Sequence, residues 1–326
     1  MFCLLYLLSV HFRPVTWFLQ IYFIYQPHKQ MFEIYGCVWY NMPKQIYGTD
    51  TEMDMNTIRK NLNILRAVAV VTYKEWSAYR THSMVSIWVG PIYFIVQYFI
   101  WSAAYGGKTQ INGMDLAQII TYFGASTLIG YLTMDFADWN LQMLVRTGKF
   151  LTFALRPIHH RFFAFSQKVG HRVLGLIFEF IPCYIIFTVL FRVSLVPKYI
   201  GWTILSVMLA FLMNFYIHYI LGMTAFWFTQ SSGIRRVFDL LSGVFSGIFI
   251  PLVFFPQTLQ KILFFLPFPY MSYVPVMVFT GDFALAGIRM DIPVIVGIQG
   301  LAVCITILLS EVIYRASMRR FNGVGA

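Results

Sequence analysis

From Met55 onward, long apolar runs alternate with short polar and basic stretches. Six runs reach about 20 residues, enough for a helix to cross a hydrocarbon layer of about 30 Å. They predict spanning helices at about 84 to 105, 116 to 138, 172 to 192, 200 to 227, 237 to 255 and 292 to 314. Ahead of the first, between Asn56 and Ser83, Ile58, Leu62, Leu65, Val68 and Ala69 share one helical face, with Arg59, Lys60, Asn63 and Arg66 elsewhere. This predicts an amphipathic elbow helix over residues 55–83, lying along the membrane until the chain turns in at Ser83.

Between Ser242 and Gly281 the chain stays as apolar as a span, yet Pro251, Pro256, Pro267, Pro269 and Pro275 interrupt it. A plain spanning helix does not carry proline at this density. A soluble loop would have nowhere to bury Phe264, Phe265, Leu266 and Phe268. The pattern predicts re-entrant or interfacial helices between the fifth and sixth spans, as in a transport path, where freed backbone groups can face a cavity.

Composition agrees: 59% of residues are hydrophobic, 19% aromatic and only 11% charged, roughly half the charge of a soluble domain. The fold class expected is an all-α integral membrane protein. The net charge of +11 makes no continuous basic patch, so it points to orientation and not to nucleic acid. On one side fall Arg59, Lys60, Arg66, Lys74 and Arg80, then Arg146, Lys149, Arg156, Arg161, Lys168 and Arg172, then Arg235, Arg236, Arg315, Arg319 and Arg320. The other side has Lys108, Arg192, Lys198, Lys261 and Arg289. The excess places both ends of the six-span unit in the cytoplasm and the proline-rich segment outside.

Residues 1–54 fit this scheme poorly. Their apolar start is interrupted by His11, Arg13 and Pro14, lacks a basic n-region, and has no A-x-A cleavage site. Two readings of residues 1–54 stand, an over-extended start with translation beginning at Met55 or Met53, and a real, poorly packed extension; a six-span membrane domain is expected over 84–326. Cys3, Cys37, Cys183 and Cys304 lie far apart with no C-x-x-C, and four free thiols are expected.

No nucleotide-binding loop is found. Gly106-Gly107-Lys108-Thr109 comes nearest, but Ser102 stands where the leading glycine belongs, so a tight turn is expected. Asp135 and Asp138 have the D-x-x-D spacing that could hold Mg²⁺ in a membrane transferase, but no second acidic motif completes such a site. Solvation, or pairing with Arg146, is the ordinary explanation. Glu179, about two turns inside the third span, is the stronger buried charge, with Arg172 or His171 as its expected partner. His159, His160 and His171 lack the repeats of membrane di-iron enzymes and are read as interfacial loop residues, with no metal site. From Gly148 and Lys149 to Leu155, Arg156 and Pro157, a glycine starts and a proline stops a short amphipathic helix flanked by basic residues. Such a helix suits either the transfer of force from a soluble motor or a surface role that only caps the bundle, and the motif alone does not decide between the two.

Several short motifs keep a definite order: the elbow, the loop ending in Leu155-Arg156-Pro157, Leu241-Ser242-Gly243, Ile250-Pro251-Leu252, Phe255-Pro256, Leu266-Pro267-Phe268, Pro275, Thr280-Gly281, Gln299 and Arg319-Arg320-Phe321-Asn322-Gly323. Together, from Met55 to Ala326, they resemble the permease subunit of type 2 ATP-binding cassette exporters, in the bacterial branch grouped as uncharacterised or as drug or viologen exporters. The resemblance implies a six-helix half-transporter in the bacterial inner membrane. It would pair with an identical or paralogous permease and dock on two cytoplasmic ABC ATPase subunits, which bind ATP and Mg²⁺; this chain binds no cofactor. It implies that the Gly148 to Pro157 segment is a coupling helix, with Lys149 and Arg156 meeting acidic residues of the ATPase. It further implies an outer gate in the external segment, with Phe264, Phe265, Phe268 and Tyr270 facing the exit beside Pro251, Pro256, Pro267 and Pro269. Cargo would be amphiphilic or aromatic. The alternatives are an ion-coupled secondary transporter, for which no inverted repeat is visible, and the Mg²⁺-dependent transferase built on Asp135 and Asp138.

Overall fold

Helix follows the apolar runs, and breaks occur where backbone groups lose their partners. The computed structural model describes residues 55–78, 80–154, 159–228 and 232–320; the expectation for residues 1–54 falls outside these. Helix α1 spans Met55–Ala78 and α2 spans Arg80–Tyr105, with Pro91 inside it. A hairpin of β1 (Gln110–Ile111) and β2 (Met114–Asp115) leads into α3, Leu116–Thr133, whose start is closed by a reciprocal capping box between Asp115 and Gln118. Helix α4 follows at Ala137–Arg146 and α5 at Phe150–Ala154.

Helix α6 runs over His160–Leu190 and contains wide turns at Leu176–Phe180 and Ile186–Leu190. Pro182 lies between them, unable to donate to the helical ladder and crowding the carbonyl one turn back, the usual cause of such local widening. Helix α7, Ile200–Met223, continues into a 3₁₀ turn at Thr224–Phe226, and α8 covers Ser232–Phe245. The proline-rich segment is a string of short helices: a 3₁₀ turn at Leu252–Phe254, α9 at Gln257–Phe264, α10 at Phe268–Met271 and α11 at Tyr273–Thr280. A second hairpin, β3 (Phe283–Leu285) with β4 (Ile288–Met290), precedes α12, Ile292–Arg320.

Among the described residues, four helical stretches are long and apolar enough to cross a membrane: Ile87–Tyr105, His160–Leu190, Ile200–Phe226 and Ile292–Arg320. The two remaining predicted windows are divided. The run at 116–138 stops at Thr133, because Met134 turns extended (ψ 141°) before α4 restarts. The run at 237–255 keeps helix only to Phe245. The Gly106-Gly107 sequence forms a tight turn, with the Lys108 N–H donating to the Tyr105 carbonyl.

Helices α7 and α12 pack along each other most extensively, and α1 lies against α6. The buried face of α1 is Ile64, Val68, Val71 and Thr72, whereas Leu62, placed on the apolar face by the pattern, stands exposed. The core joins α2, α3, α7, α11 and α12 through Phe94, Tyr122, Phe123, Met213, Tyr273 and Ile295. Helix α4 crosses α7 so closely that a Cβ on Gly222 would stand 2.9 Å from the Asp138 Cα. Gly222→Val is therefore expected to force the two helices apart, at a cost of about 1–3 kcal/mol, and to lower the thermal midpoint of the detergent-solubilised protein. An unchanged midpoint would show that the crossing yields freely.

Candidate functional site

The break between α3 and α4 and the first turn of α4 carry two buried carboxylates, one facing α6 and the other facing α7 and α8. Asp135 places Oδ2 2.7 Å from the Lys168 Nζ of α6, while its Oδ1 accepts the Ala137 N–H at 2.6 Å. Lys168 also donates to the carbonyls of Thr133 and Phe211, so one ammonium ties α3, α6 and α7 together. Asp138 is fully buried. Its Oδ1 lies 3.3 Å from His218 Nδ1 on α7 and its Oδ2 3.1 Å from Arg235 Nη1 on α8, close approaches without the alignment of hydrogen bonds. Arg146, the partner the spacing suggested, is exposed at the far end of α4. Solvation does not account for either carboxylate, since both are buried.

A small cleft beside this break is lined by Asp135, Asn140, Gln167, Lys168, His171 and Arg172. Glu179 is buried in the first wide turn of α6, 3.8 Å from the Arg172 Nη1, which also donates to the Tyr131 carbonyl. Of the two expected partners, Arg172 makes the ion pair. His160 is buried rather than a loop residue, starting α6 with its ring 3.2 Å from the Tyr219 hydroxyl.

Helix α5 hangs from α4 through a short turn. Gly148 adopts φ +69°, a conformation that favours glycine, its N–H donates to the Val145 carbonyl, and its own carbonyl accepts from Leu151. Phe150 anchors the helix by packing on Phe226 and His160, while Leu151 points outward, half exposed. Lys149 is half-buried. Leu155, Arg156 and Pro157 lie outside the described residues.

The proline-rich segment is pinned by side chains that donate to its main-chain carbonyls. Gln260 donates to the Phe255 carbonyl and accepts from the Ala286 N–H, closing α9 onto the second hairpin. Tyr270 is buried and its hydroxyl donates to the Phe264 carbonyl at 2.7 Å; burial pushes this phenol up to about 12, so it stays a neutral donor. Gln299 of α12 donates to the Tyr270 carbonyl at 3.0 Å and exchanges two hydrogen bonds with Ser206 of α7. Pro251 and Pro269 are buried, Pro256 is exposed, Phe264 and Pro267 are half-buried, and Phe265 is 85% exposed. Phe268 packs against Phe238 and Phe245 of α8.

A model of a family described as ABC-2 family transporter protein matches residues 92–325, most of the chain. The chain belongs to the ABC-2 transporter family. A comparison with curated proteins finds no match. Membership makes this a membrane-embedded transport permease of an ABC system, which implies an ABC ATPase as partner. Within the ABC-2 permease, the approach of His218 and Arg235 to Asp138 and the pairing of Lys168 with Asp135 are features the residue pattern did not single out. Asn214, His218 and Gly222 recur every fourth residue on an otherwise apolar helix, and that stripe was the available signal.

The ion pairs should behave as buried charges do. Lys168→Met leaves the Asp135 carboxylate buried and unneutralised, at an expected cost of about 3–5 kcal/mol. Asp135→Asn combined with Lys168→Met should recover more than half of that loss. Denaturation of the four cycle members in one detergent checks this, and a double variant no better than Lys168→Met would contradict it.

Proposed function

We propose that this chain is the permease half of an ATP-driven exporter of amphiphilic or aromatic molecules in the bacterial inner membrane. Six spans would be supplied by α2, α3, α6, α7, α8 with its bent continuation, and α12, with both ends of the unit cytoplasmic. Helix α1 would be the elbow, and its exposed Leu62 and Val70 suit a lipid interface. The chain would pair with an identical or paralogous permease above two ATPase subunits, which bind ATP and Mg²⁺.

One observation carries the reading. A short helix, α5, is presented on a lever, α4, whose base is fastened by Asp135 and Asp138 into α6, α7 and α8. A displacement delivered to α5 would reach three helices at once without passing through a flexible loop. The Gly148 turn sets the angle, Leu151 offers an apolar contact, and Lys149 with Arg156 would meet acidic residues of the ATPase. The outer segment from Pro251 to Tyr270 would form the gate. The carboxylates of the D-x-x-D pair face Lys168, His218 and Arg235, a set that neutralises them and disfavours a Mg²⁺ site.

Purification from native membranes in gentle detergent, with a tag on the C-terminal tail, should recover an ATPase subunit identifiable by mass spectrometry and hydrolysis. Leu151→Asp should weaken its recovery by at least about tenfold, ~1.4 kcal/mol, with the permease still folded. Phe150→Ala should instead destabilise the permease itself, by about 3–5 kcal/mol. A permease recovered alone would sink the reading.

A further inference from the structure

Helix α8, Ser232–Phe245, is exposed along most of its length but fastened at both ends. Near its start, Arg235 reaches the buried Asp138 at 3.1 Å, and Phe238 packs on the His218 ring. Just past its end, the Gly247 carbonyl accepts from the Tyr122 hydroxyl and the Ile248 carbonyl from Tyr93, each at 2.7 Å. The first clamp grips the lever that carries α5, and the second grips the entrance to the proline-rich segment. Phe268 of that segment lies against Phe238 and Phe245 as well.

We propose that α8 is the connecting rod of the permease and that Asp138 with Arg235 is its positioning pair, passing movement of α4 to the outer segment. This rests on the reading of α4 and α5 as the ATPase-docking lever. Asp138 cannot move away from Arg235 without leaving a buried carboxylate short of positive charge, so the rod follows the lever. At 1.5 Å per residue, the 14 residues of α8 reach about 21 Å as one stiff element. The chain itself carries that displacement into Gly247 and Ile248, where helix gives way to the proline breaks and the hydroxyls of Tyr122 of α3 and Tyr93 of α2 bind the two carbonyls.

The test uses the complete permease–ATPase complex in lipid vesicles, with native cysteines replaced and Phe265→Cys as a reporter labelled by an impermeant maleimide. Phe265 is the most exposed large apolar residue of the segment. In the parent complex, a non-hydrolysable ATP analogue should change the labelling rate. Asp138→Asn and Arg235→Gln should each shrink that change by at least about fivefold while the ATPase still co-purifies, and Arg235→Lys should restore most of it. Where a single variant fails to accumulate, the pair Asp138→Asn with Arg235→Gln removes both charges together and carries the same expectation. A nucleotide response that survives loss of either charge with the ATPase bound overturns the inference, as does a Lys variant no better than Gln. A parent complex whose reporter ignores nucleotide overturns it too. Absence of the ATPase from the parent purification is read before any labelling and overturns the proposed function, with this inference along with it.

Discussion

A carboxylate buried in an apolar bundle must be met by a cation, because its own desolvation is worth several kcal/mol and no water is there to offset it. Asp138 is in that position, and the arrangement of α4, α7 and α8 follows from it. Asp135 imposes the same condition three residues earlier and draws Lys168 of α6 to the same break. The chain between α3 and α4 is consequently no loose hinge. It is a short extended link whose two ends are fastened to three other helices, while α5, at the other end of α4, is anchored by Phe150 against Phe226 and His160.

The proline-rich segment meets a related constraint with neutral groups. Each proline takes a donor from the backbone, and an apolar surrounding leaves the orphaned carbonyls without water. Tyr122 donates to the Gly247 carbonyl and Asn214 to that of Met271, four residues before Pro251 and Pro275 respectively. Gln260, Tyr270 and Gln299 each donate to a further main-chain carbonyl, Gln299 also joining α7 to α12 through Ser206. The segment is thus a set of short helical pieces with polar contacts at their joints, and Leu252, Leu263, Tyr270, Met271 and Tyr273 tie those pieces into the apolar core.

These two sets of contacts belong to one assembly. Family membership makes the chain a transport permease, and transport demands that opposite ends of the bundle know of each other's state. Charge at the α3–α4 break and tyrosine hydroxyls at Gly247 and Ile248 lie at the two ends of one helix, α8, that has few other attachments. Small residues let the pieces approach: Gly222 admits α4 against α7, and Gly90 leaves space for the Tyr131 hydroxyl, which accepts its N–H.

Hydropathy summed along the chain determined that this is a helical membrane protein, where four of its long helices lie, and that the stretch after α8 could not be a plain span. Glu179 as a buried charge, with Arg172 as one of two candidate partners, was legible because the residues sit on one helix at a spacing periodicity can resolve; the structure selects Arg172. The short β-hairpins were less so, although Asn112-Gly113 is a strong turn signal for the first. Only the tertiary structure decided that Asp135 pairs with Lys168, that Asp138 faces His218 and Arg235, and that α3 and α8 stop short of their apolar windows. The physical reason is that burial and helix length depend on sums over neighbouring residues, which the sequence contains. Charge pairing and backbone satisfaction instead depend on which atoms meet across the bundle, and residues 138 and 235 meet only after folding.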